Sequence, residues 1–395
     1  MQAPGLTDLG IINNHGPVWK EQRSVSLGIM RKMGVGKNVL ADVITEECQA
    51  YLNNIAKAEG KPQDIRLFTG QSICNVICSV IVGHRFEYDD SIFKRIVEII
   101  YYVSSQVIRA EMMILNTWPI LHYIPWDIFN VRRMNNEREE FGRLFVNRFK
   151  SLEGSSDENL TDSYIANYVQ EQRRREERGQ ATSLDERNLY KNIEDLVAAG
   201  TDTTANTIVW FVLFMIQNPE IQEKIFAEIS TTIGTERLPT MSDREKLNYV
   251  NASILETQRL GNVAHMGVPH MTSRDTTFKG FRIPKDTIVV GYLTSVMFDE
   301  SVWGPDVDSF RPDRFFDQSG NLKHFEEHIP FGTGRRLCPG ESLARMELFL
   351  YVTSLCQRFK FLPSVAGCPP QPEPVIGITR CPQPFEVRVV ERSEL

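Results

Sequence analysis

One cysteine lies in a glycine-rich segment whose spacing would let its sulfur bind a metal. Cys338 is preceded by Phe331, Gly334 and Arg336 and is followed, two residues later, by Gly340. Glycines lack side-chain bulk and accept positive φ angles, so this backbone can approach a flat macrocycle such as haem. A helix beginning near Gly340 would point N–H groups and its positive dipole end at the sulfur, which favours the thiolate. A turn around an incidental buried cysteine is the alternative, but the complete spacing favours a haem-thiolate ligand.

The neighbours of the cysteine on this loop fit the same chemistry. Phe331 would keep one face of the macrocycle dry, and Arg336 would bind a haem propionate through its guanidinium group. Hydrogen-bond donors around the sulfur would then adjust the electronic properties of the iron through the thiolate.

A second candidate site is a run of small and polar residues inside an apolar stretch. Ala199, Gly200, Asp202 and Thr203 fall within residues 196–216. Glycine and hydroxyl side chains weaken the hydrogen bonds of a helix interior, so we expect a local opening that could hold O2 and ordered water. Asp202 and Thr203 would relay protons to the reacting oxygen. The alternative is the polar side of a buried helix whose hydroxyls bond to its own backbone.

Two further pairs combine residues one helical turn apart. Trp19 and Arg23 could both donate to one carboxylate, although a solvated helix start is the alternative. Glu256 and Arg259 stand at i and i+3, a spacing that usually means a surface ion pair. A function for either pair therefore depends on what the rest of the chain positions beside it.

The elements that position these residues are predominantly helical. Apolar residues recur at helical spacing over most of residues 18–258, whereas short Val-, Thr- and Phe-rich segments follow at 276–283 and 287–290. Helix is expected again at 341–359, and a last strand at 385–390. This pattern predicts a mainly α fold with a minor β-sheet region.

Residues 196–216 are apolar enough to resemble a membrane span. Asp202 and several threonines would make a poor lipid-facing surface, so a buried central helix is the better interpretation. No linker long enough to divide two independent domains is found, and residues 1–395 are therefore expected to form a single domain.

Composition argues against several classes of protein. The 395 residues include 42% hydrophobic and 24% charged residues, so a large packed core is expected and bulk disorder is not. The net charge of -7 argues against nucleic acid as a partner. Seven cysteines without regular spacing favour a reducing compartment over a secreted disulfide framework. No signal peptide opens the sequence, and no dinucleotide-binding fingerprint follows a strand.

At the cysteine loop, the chain resembles the cytochrome P-450 superfamily, whose haem-binding signature is Phe-x-x-Gly-x-Arg-x-Cys-x-Gly. The resemblance extends from Trp19 to Arg388 with the motifs in the family's order. Residues 34–37, 72–77 and 83–88 look like the animal microsomal branch. The resemblance implies the cytochrome P-450 fold and haem b (iron protoporphyrin IX), with the cysteine of this loop as the axial thiolate.

The resemblance also assigns roles to the other motifs. Asp202 and Thr203 match the family's oxygen-activation site. Glu256 and Arg259 match a helix whose charges pair with Arg314 in a buried network that supports the haem-binding side of the fold. The remaining matched positions are the propionate donors Trp19, Arg23 and His270 and the substrate-pocket residues Ala199, Val268 and Ile376.

The implied activity is insertion of one oxygen atom of O2 into a fatty acid, a steroid or a foreign compound. The electrons would come from the NADPH-dependent cytochrome P-450 reductase, with cytochrome b5 as a second candidate donor. The full-length enzyme would lie at the cytosolic face of the endoplasmic reticulum membrane. The apolar segment 118–126 could contact that membrane, with a packed interior loop as the alternative. A basic docking face for the reductase is expected, with a solvated basic helix as the alternative. Its candidate residues are Lys20, Arg23, Arg31, Lys32, Lys37, Arg335 and Arg345.

Two departures from the family's pattern bear on these expectations. The microsomal relatives begin with a membrane-anchoring helix and early strands ahead of the equivalent of Val18, and this sequence shows no such start. A proline usually precedes the family's Val-Pro-His, whereas residues 261–265 read Gly-Asn-Val-Ala-His here. Two rival functions stay open: a haem-thiolate isomerase or dehydratase that needs no reductase, and a fragment that does not hold haem.

Overall fold

A computed structural model describes residues 9–34, 39–107, 130–152 and 162–394. Helices occupy most of them and short antiparallel strands form the sheets, so the predicted mainly α class with a minor β-sheet region is confirmed. The helices are α1 (Gly16–Lys32), α2 (Val39–Ala56), α3 (Arg66–Val82), α4 (Ser91–Val107), α5 (Val131–Leu152), α6 (Tyr164–Glu177), α7 (Glu186–Gln217), α8 (Pro219–Thr232), α9 (Asn248–Gly261), α10 (Thr294–Met297), α11 (Glu300–Trp303) and α12 (Glu341–Arg358). The strands are β1 (Pro62–Gln63), β2 (His270–Met271), β3 (Thr276–Phe278), β4 (Phe281–Ile283), β5 (Ile288–Val289), β6 (Phe359–Pro363), β7 (Pro374–Ile376), β8 (Arg380–Pro382) and β9 (Val387–Glu391).

Local sequence signals account for the ends of several helices. α8 begins at Pro219, because the fixed φ of proline suits a first helical turn. α6 begins after Ser163, whose side chain accepts a hydrogen bond from Ala166 N at 3.2 Å. α12 begins one residue after Gly340, as the sequence predicts.

The segment 276–283 is a hairpin rather than the single strand that its composition predicts. Lys279 and Gly280 have positive φ angles of 48° and 85°, which turn the chain back between β3 and β4. The expected strand at 287–290 is present as β5. The β region expected after α9 is therefore present. It contains a tight turn that the pattern of apolar residues did not predict.

The Cα positions group the chain into two compact units. Unit 1 contains the described residues of Met1–Asn54, Leu67–Ala205 and Ser342–Glu347, and unit 2 contains those of Ile55–Arg66, Asn206–Glu341 and Leu348–Leu395. Each unit combines segments that are far apart in the sequence. The expectation of a single domain over residues 1–395 stays a prediction.

In unit 1, Asp195 of α7 holds the chain just before α1. Its Oδ2 accepts hydrogen bonds from the backbone N–H groups of Ile11 and Ile12 at 2.9 and 3.0 Å. Lys191 Nζ donates to Asp195 Oδ1 at 2.6 Å and balances the buried charge. Gly10 allows this close approach, because a Cβ there would lie 2.5 Å from Asp195 Oδ2. The start of α1 is therefore fixed against α7.

In unit 2, the last strand lies at the centre of the largest sheet of the described residues. β9 pairs antiparallel with both β1 and β6, so the strand expected at 385–390 is confirmed. Three two-stranded sheets, β2–β5, β3–β4 and β7–β8, contain the other strands. An apolar core packs Trp303 and Phe315 against Ala252 of α9 and Val307.

α7 is long and apolar enough to cross a membrane by length and composition, and no other described helix meets that test. In the most apolar 18-residue segment of α7, 61% is buried inside the protein. This burial agrees with the interpretation of residues 196–216 as a buried central helix. The segment 118–126, predicted as an apolar loop near a membrane, lies outside the described residues.

Candidate functional site

The loop around Cys338 is closed by backbone hydrogen bonds. Cys338 N donates to Phe331 O at 3.0 Å, and Leu337 N donates to Gly334 O at 3.1 Å. Gly332 and Gly334 have φ angles of 72° and 70°, in the left-handed region that favours glycine. Glycine at these two positions therefore permits the turn that brings Cys338 back beside Phe331.

Cys338 is more exposed than most other cysteines in the described residues. Cys338 is half-buried, whereas Cys48, Cys74, Cys78 and Cys356 are buried. Burial raises the pKa of the Cys356 thiol to about 12, which keeps that sulfur a neutral thiol. A half-buried cysteine on a glycine-rich loop can be reached by a flat ligand, so Cys338 fits a haem-thiolate ligand.

Helix α12 starts beside the Cys338 sulfur. Gly340 is the N-cap residue of α12, and a Cβ on Gly340 would lie 3.9 Å from Cys338 Sγ. The unpaired N–H groups at a helix N-terminus favour a nearby anion, so this placement supports the thiolate form. Phe331 and Arg336 are half-buried on the same loop.

In unit 1, the two predicted propionate donors of α1 lie together. The guanidinium carbon of Arg23 is 5.8 Å from the centre of the Trp19 ring. Both residues line a cavity of about 290 Å³. Several predicted docking cations share this face of α1, whereas Lys37 lies outside the described residues. The residues that line the cavity are Trp19, Lys20, Arg23, Ser24, Leu27 and Arg31.

The polar run of α7 lies in an uninterrupted helix, and both Asp202 and Thr203 are half-buried there. Thr203 Oγ1 donates to Ala199 O at 2.9 Å, so the hydroxyl uses a carbonyl of its own helix. Gly200 has a packing role, because a Cβ there would lie 2.9 Å from Ile77 of α3. The predicted local opening of the helix is therefore wrong for this structure: the glycine admits the neighbouring helix instead.

Sequence reasoning missed a titratable residue of unit 1, Glu347 of α12. Glu347 is 1% exposed, and Thr204 Oγ1 of α7 donates to its Oε2 at 3.3 Å. No described residue hydrogen-bonds to its Oε1. Burial raises the pKa of Glu347 to about 8, so the carboxyl is mainly protonated at neutral pH. The available signal was a single acid within the apolar run 346–352.

Replacing Glu347 by glutamine should make the stability of the protein less dependent on pH. The folded-state pKa of about 8 lies above the ordinary glutamate pKa of 4.5 in the unfolded chain, so the carboxyl stabilises the fold fully below pH 4.5 and loses that contribution as pH rises to about 8. A neutral amide cannot ionise. The urea midpoint of the variant should therefore fall less than that of the wild type as pH rises over this range.

Equal pH dependence of the two proteins would contradict the neutral state of buried Glu347. Glu236→Gln, which removes an exposed carboxylate instead of a buried one, is the control for a general effect of the substitution.

In unit 2, Glu256 and Arg259 of α9 meet Arg314. Glu256 Oε1 lies 2.8 Å from Arg314 Nε, Glu256 Oε2 lies 2.8 Å from Arg259 Nε, and all three side chains are buried. Arg259 also donates to the carbonyls of Met297 and Val307 at 3.0 and 2.7 Å. The i, i+3 pair of α9 is therefore part of a buried ion-pair cluster rather than a surface pair.

The loop after α9, where the sequence departs from the family's pattern, is held by β8. α9 ends at Gly261, where a Cβ would lie 3.2 Å from Trp210, and Asn262 follows in the left-handed region with φ 40°. Arg380 Nη1 donates to Gly261 O at 2.9 Å, and Arg380 N donates to Val263 O at 2.9 Å. A cation is favourable at the C-terminus of a helix, so Arg380 both caps α9 and fixes the loop.

Two histidines follow Asn262 in this part of the chain. His270 lies on β2 and is exposed. His265 is 4% exposed, and no described residue hydrogen-bonds to either of its ring nitrogens. Such a group is a candidate contact for a water molecule or a ligand, which sequence reasoning did not identify.

The predicted pocket residues Val268 and Ile376 of unit 2 and Ala199 of unit 1 are exposed.

Comparisons with known proteins find similar sequences along nearly the whole chain. The sequence model of the family described as Cytochrome P450 matches residues 6–389. Cytochrome P450 2U1 of Bos taurus is 35% identical over 390 residues, which cover 97% of this chain and 70% of the relative. Cytochrome P450 2D20 of Mesocricetus auratus is 35% identical over 97% of this chain and 76% of the relative. Cytochrome P450 2C3 of Oryctolagus cuniculus is 34% identical over 96% of this chain and 77% of the relative.

Proposed function

This chain belongs to the cytochrome P450 family, and from that premise we propose that Cys338 is its haem ligand and that it oxidises a lipophilic organic substrate. Enzymes of the family are monooxygenases with haem b held by a cysteine thiolate, and this chain is an oxidoreductase of that kind. The observation that carries the assignment of the ligand is the position of half-buried Cys338 on a glycine-rich loop directly before α12.

The residues of the cysteine loop would hold the cofactor and adjust its electronic properties. Haem b, when bound, supplies the activation of O2 and the transfer of one oxygen atom to the substrate, with the other leaving as water. The Cys338 thiolate, stabilised by the N-terminus of α12, would bind the iron and donate electron density to it. Phe331 would exclude water from the sulfur. The proposed propionate donors are Arg336, Trp19, Arg23 and His270.

Asp202 and Thr203 of α7 are the proposed proton carriers. The half-buried carboxyl of Asp202 can exchange protons with water, and the Thr203 hydroxyl beside it in the chain can pass them on. The bond from Thr203 Oγ1 to Ala199 O fixes the hydroxyl in one rotamer and so orients its lone pairs. A positioned group that delivers protons contributes about 10²–10⁴-fold to a reaction rate.

The proposed substrate is a lipophilic molecule such as a fatty acid, a steroid or a foreign compound. The pocket positions that support this class are the apolar residues Ala199, Val268 and Ile376.

The proposed electron donor is the NADPH-dependent cytochrome P-450 reductase, with cytochrome b5 as a second donor. The cations on the face of α1 support docking of an acidic partner there. We propose that the enzyme acts at the cytosolic face of the endoplasmic reticulum membrane.

Replacing Thr203 by alanine should lower the yield of product per O2 consumed by roughly tenfold or more, since proton delivery contributes on the order of 10²–10⁴-fold. The measurement is the consumption of NADPH and O2 and the formation of peroxide and product, with the reductase and a panel of lipophilic substrates. Thr203→Ser keeps the hydroxyl and should restore most of the yield.

Thr231→Ala in α8 is the matched control for the Thr203 variant. Thr231 Oγ1 donates to Ala227 O at 2.7 Å, so this variant loses an equivalent bond within a helix but lies in an exposed part of unit 2. A yield that Thr203→Ala leaves unchanged would overturn the proton role. Turnover that continues without NADPH and reductase would instead identify an isomerase or dehydratase.

A further inference from the structure

The connection between β6 and β7 is rich in proline. Four of its residues are prolines, at positions 369, 370, 372 and 374. A proline fixes its own φ at about −65° and also disfavours the helical region for the residue before it. Every residue from 368 to 374 is a proline or precedes one, so all of them are restricted to extended or polyproline II backbone. We call residues 368–374 the proline segment, and residues 369–373 contain neither helix nor strand.

Hydrogen bonds from two other parts of unit 2 fix the proline segment in place. Gln217 Nε2, at the end of α7, donates to Pro370 O at 2.9 Å. Gln383 N, just after β8, donates to Glu373 O at 2.9 Å. Both bonds hold the backbone of the segment, which its prolines already make stiff. A segment held in this way loses little conformational entropy when it binds a partner.

The outer edge of the proline segment is open to solvent. A polyproline II helix has three residues per turn, so Pro369 and Pro372 lie on the same edge. No described residue donates a hydrogen bond to the carbonyls of Pro369, Gln371 or Pro372. This edge therefore combines two apolar rings with three acceptors that a partner can use. The exposed residues of the segment include Pro369, Gln371, Pro372 and Glu373, whereas Pro370 and Pro374 are half-buried.

We propose that the proline segment is a docking site for a WW domain, a small module that binds polyproline II helices in a groove lined with aromatic side chains. In such a groove, the rings of the domain pack on the prolines, and its Tyr and Trp donors bind the carbonyls of the ligand. Pro369 and Pro372 supply the Pro-x-x-Pro spacing that aromatic grooves recognise. This inference goes beyond the proposed function and does not depend on haem binding.

The charge of the proline segment selects among the domains that bind proline-rich sequences. Glu373 is exposed and is the only charged residue in 364–379. A groove with an acidic pocket beside it, as in SH3 domains that bind ligands with a flanking arginine, would find no cation here. Such a pocket would also repel Glu373. A WW domain with a cation beside its groove is therefore the better match.

The first test measures binding of the purified full chain to WW domains. A synthetic peptide of residues 366–377 selects the domain that binds best from a panel of WW domains with a basic residue beside the groove. That domain, isotope-labelled, should bind the folded chain about as tightly as the peptide, with the shifted NMR signals in its aromatic groove. Binding to the peptide but not to the folded chain would overturn the inference, as would a panel in which no WW domain binds the peptide. Preferential binding of an SH3 domain with an acidic pocket would overturn the choice of partner.

The second test removes the two rings on the exposed edge. The double variant Pro369→Ala, Pro372→Ala should bind the WW domain about tenfold more weakly or worse, because it loses both rings and part of the stiffness of the segment. Pro305→Ala is the matched control, since Pro305 is also an exposed proline of unit 2, and this variant should bind as the wild type does. The urea midpoint shows whether each variant folds. Unchanged binding by the double variant would mean that the WW domain binds elsewhere on the chain, and the inference would be wrong.

Discussion

Replacing Cys338 by alanine should abolish the red-shifted Soret band that the reduced protein shows with carbon monoxide. Alanine has no sulfur, and residues 330–340 contain no other Cys, His, Asp or Glu that could bind the iron in its place. Monooxygenase turnover should fall to the background rate, because the haem would lose the thiolate ligand on which its reactivity depends. The spectrum is recorded at equal haem content, so that loss of ligation is distinguished from loss of haem.

Cys381→Ala is the matched control for this substitution. Cys381 is also half-buried in unit 2, and its sulfur lies 3.8 Å from Val375 O in the β7–β8 sheet. This variant should keep the band. A band that persists in Cys338→Ala would refute the assignment of the ligand, and its absence from the wild-type chain as well would favour a fragment that does not hold haem.

Replacing Glu256 by alanine should be the most destabilising substitution in unit 2 outside the apolar core. The side chains of Glu256 and Arg259 are 0% exposed, so the variant would leave two guanidinium groups buried without their carboxylate. Removing one partner of a buried ion pair costs about 3–5 kcal/mol. The measurement is the free energy of unfolding in urea, together with the fraction of the chain that retains haem.

An exposed ion pair provides the comparison for the Glu256 variant. Glu139 and Arg143 of α5 form an i, i+4 pair at 2.8 Å with both side chains more than half exposed. Glu139→Ala should change the free energy of unfolding by about 0.5 kcal/mol or less, because water screens such pairs. Similar effects of the two substitutions would mean that the Glu256 cluster is solvated in solution.

The parts of the fold that sequence reasoning predicted are those with local causes. A glycine precedes α12 at Gly340, and the last strand forms near the expected residues 385–390. Each signal acts within a few residues of the feature that it predicts. The turn at Lys279 and Gly280 also has a local cause. The strands on both sides of it are so short that residues 276–283 were predicted as a single strand.

The features that sequence reasoning missed depend on contacts between distant segments. Gly200 was interpreted by what glycine does to its own helix, whereas its role is to admit Ile77 of α3. Glu347 lies 143 residues from Thr204, the residue that donates to it. Burial decides whether a carboxyl is a surface charge or a neutral acid, and burial is a property of packing rather than of spacing.

The candidate site shows the same division. The spacing of the Cys338 loop and of Glu256 with Arg259 could be recognised directly, since the residue types and intervals are themselves the pattern. The link to Arg314, 58 residues from Glu256, came from a resemblance to a family and not from physical reasoning. His265 and Arg380 were not predicted, because no interval in the sequence indicates which side chains lie near the end of α9.

The contact between Arg380 and the end of α9 has a consequence for protein engineering. Arg380 donates to carbonyls of the α9 terminus from 119 residues along the chain, and Gly261 leaves room for the Trp210 ring beside it. Substitutions in residues 261–265 and in β8 are therefore not independent, since neighbours that share a partner show non-additive effects. Some substitutions would be tolerated only when the other segment changes as well. A library that varies both segments together would include these pairs.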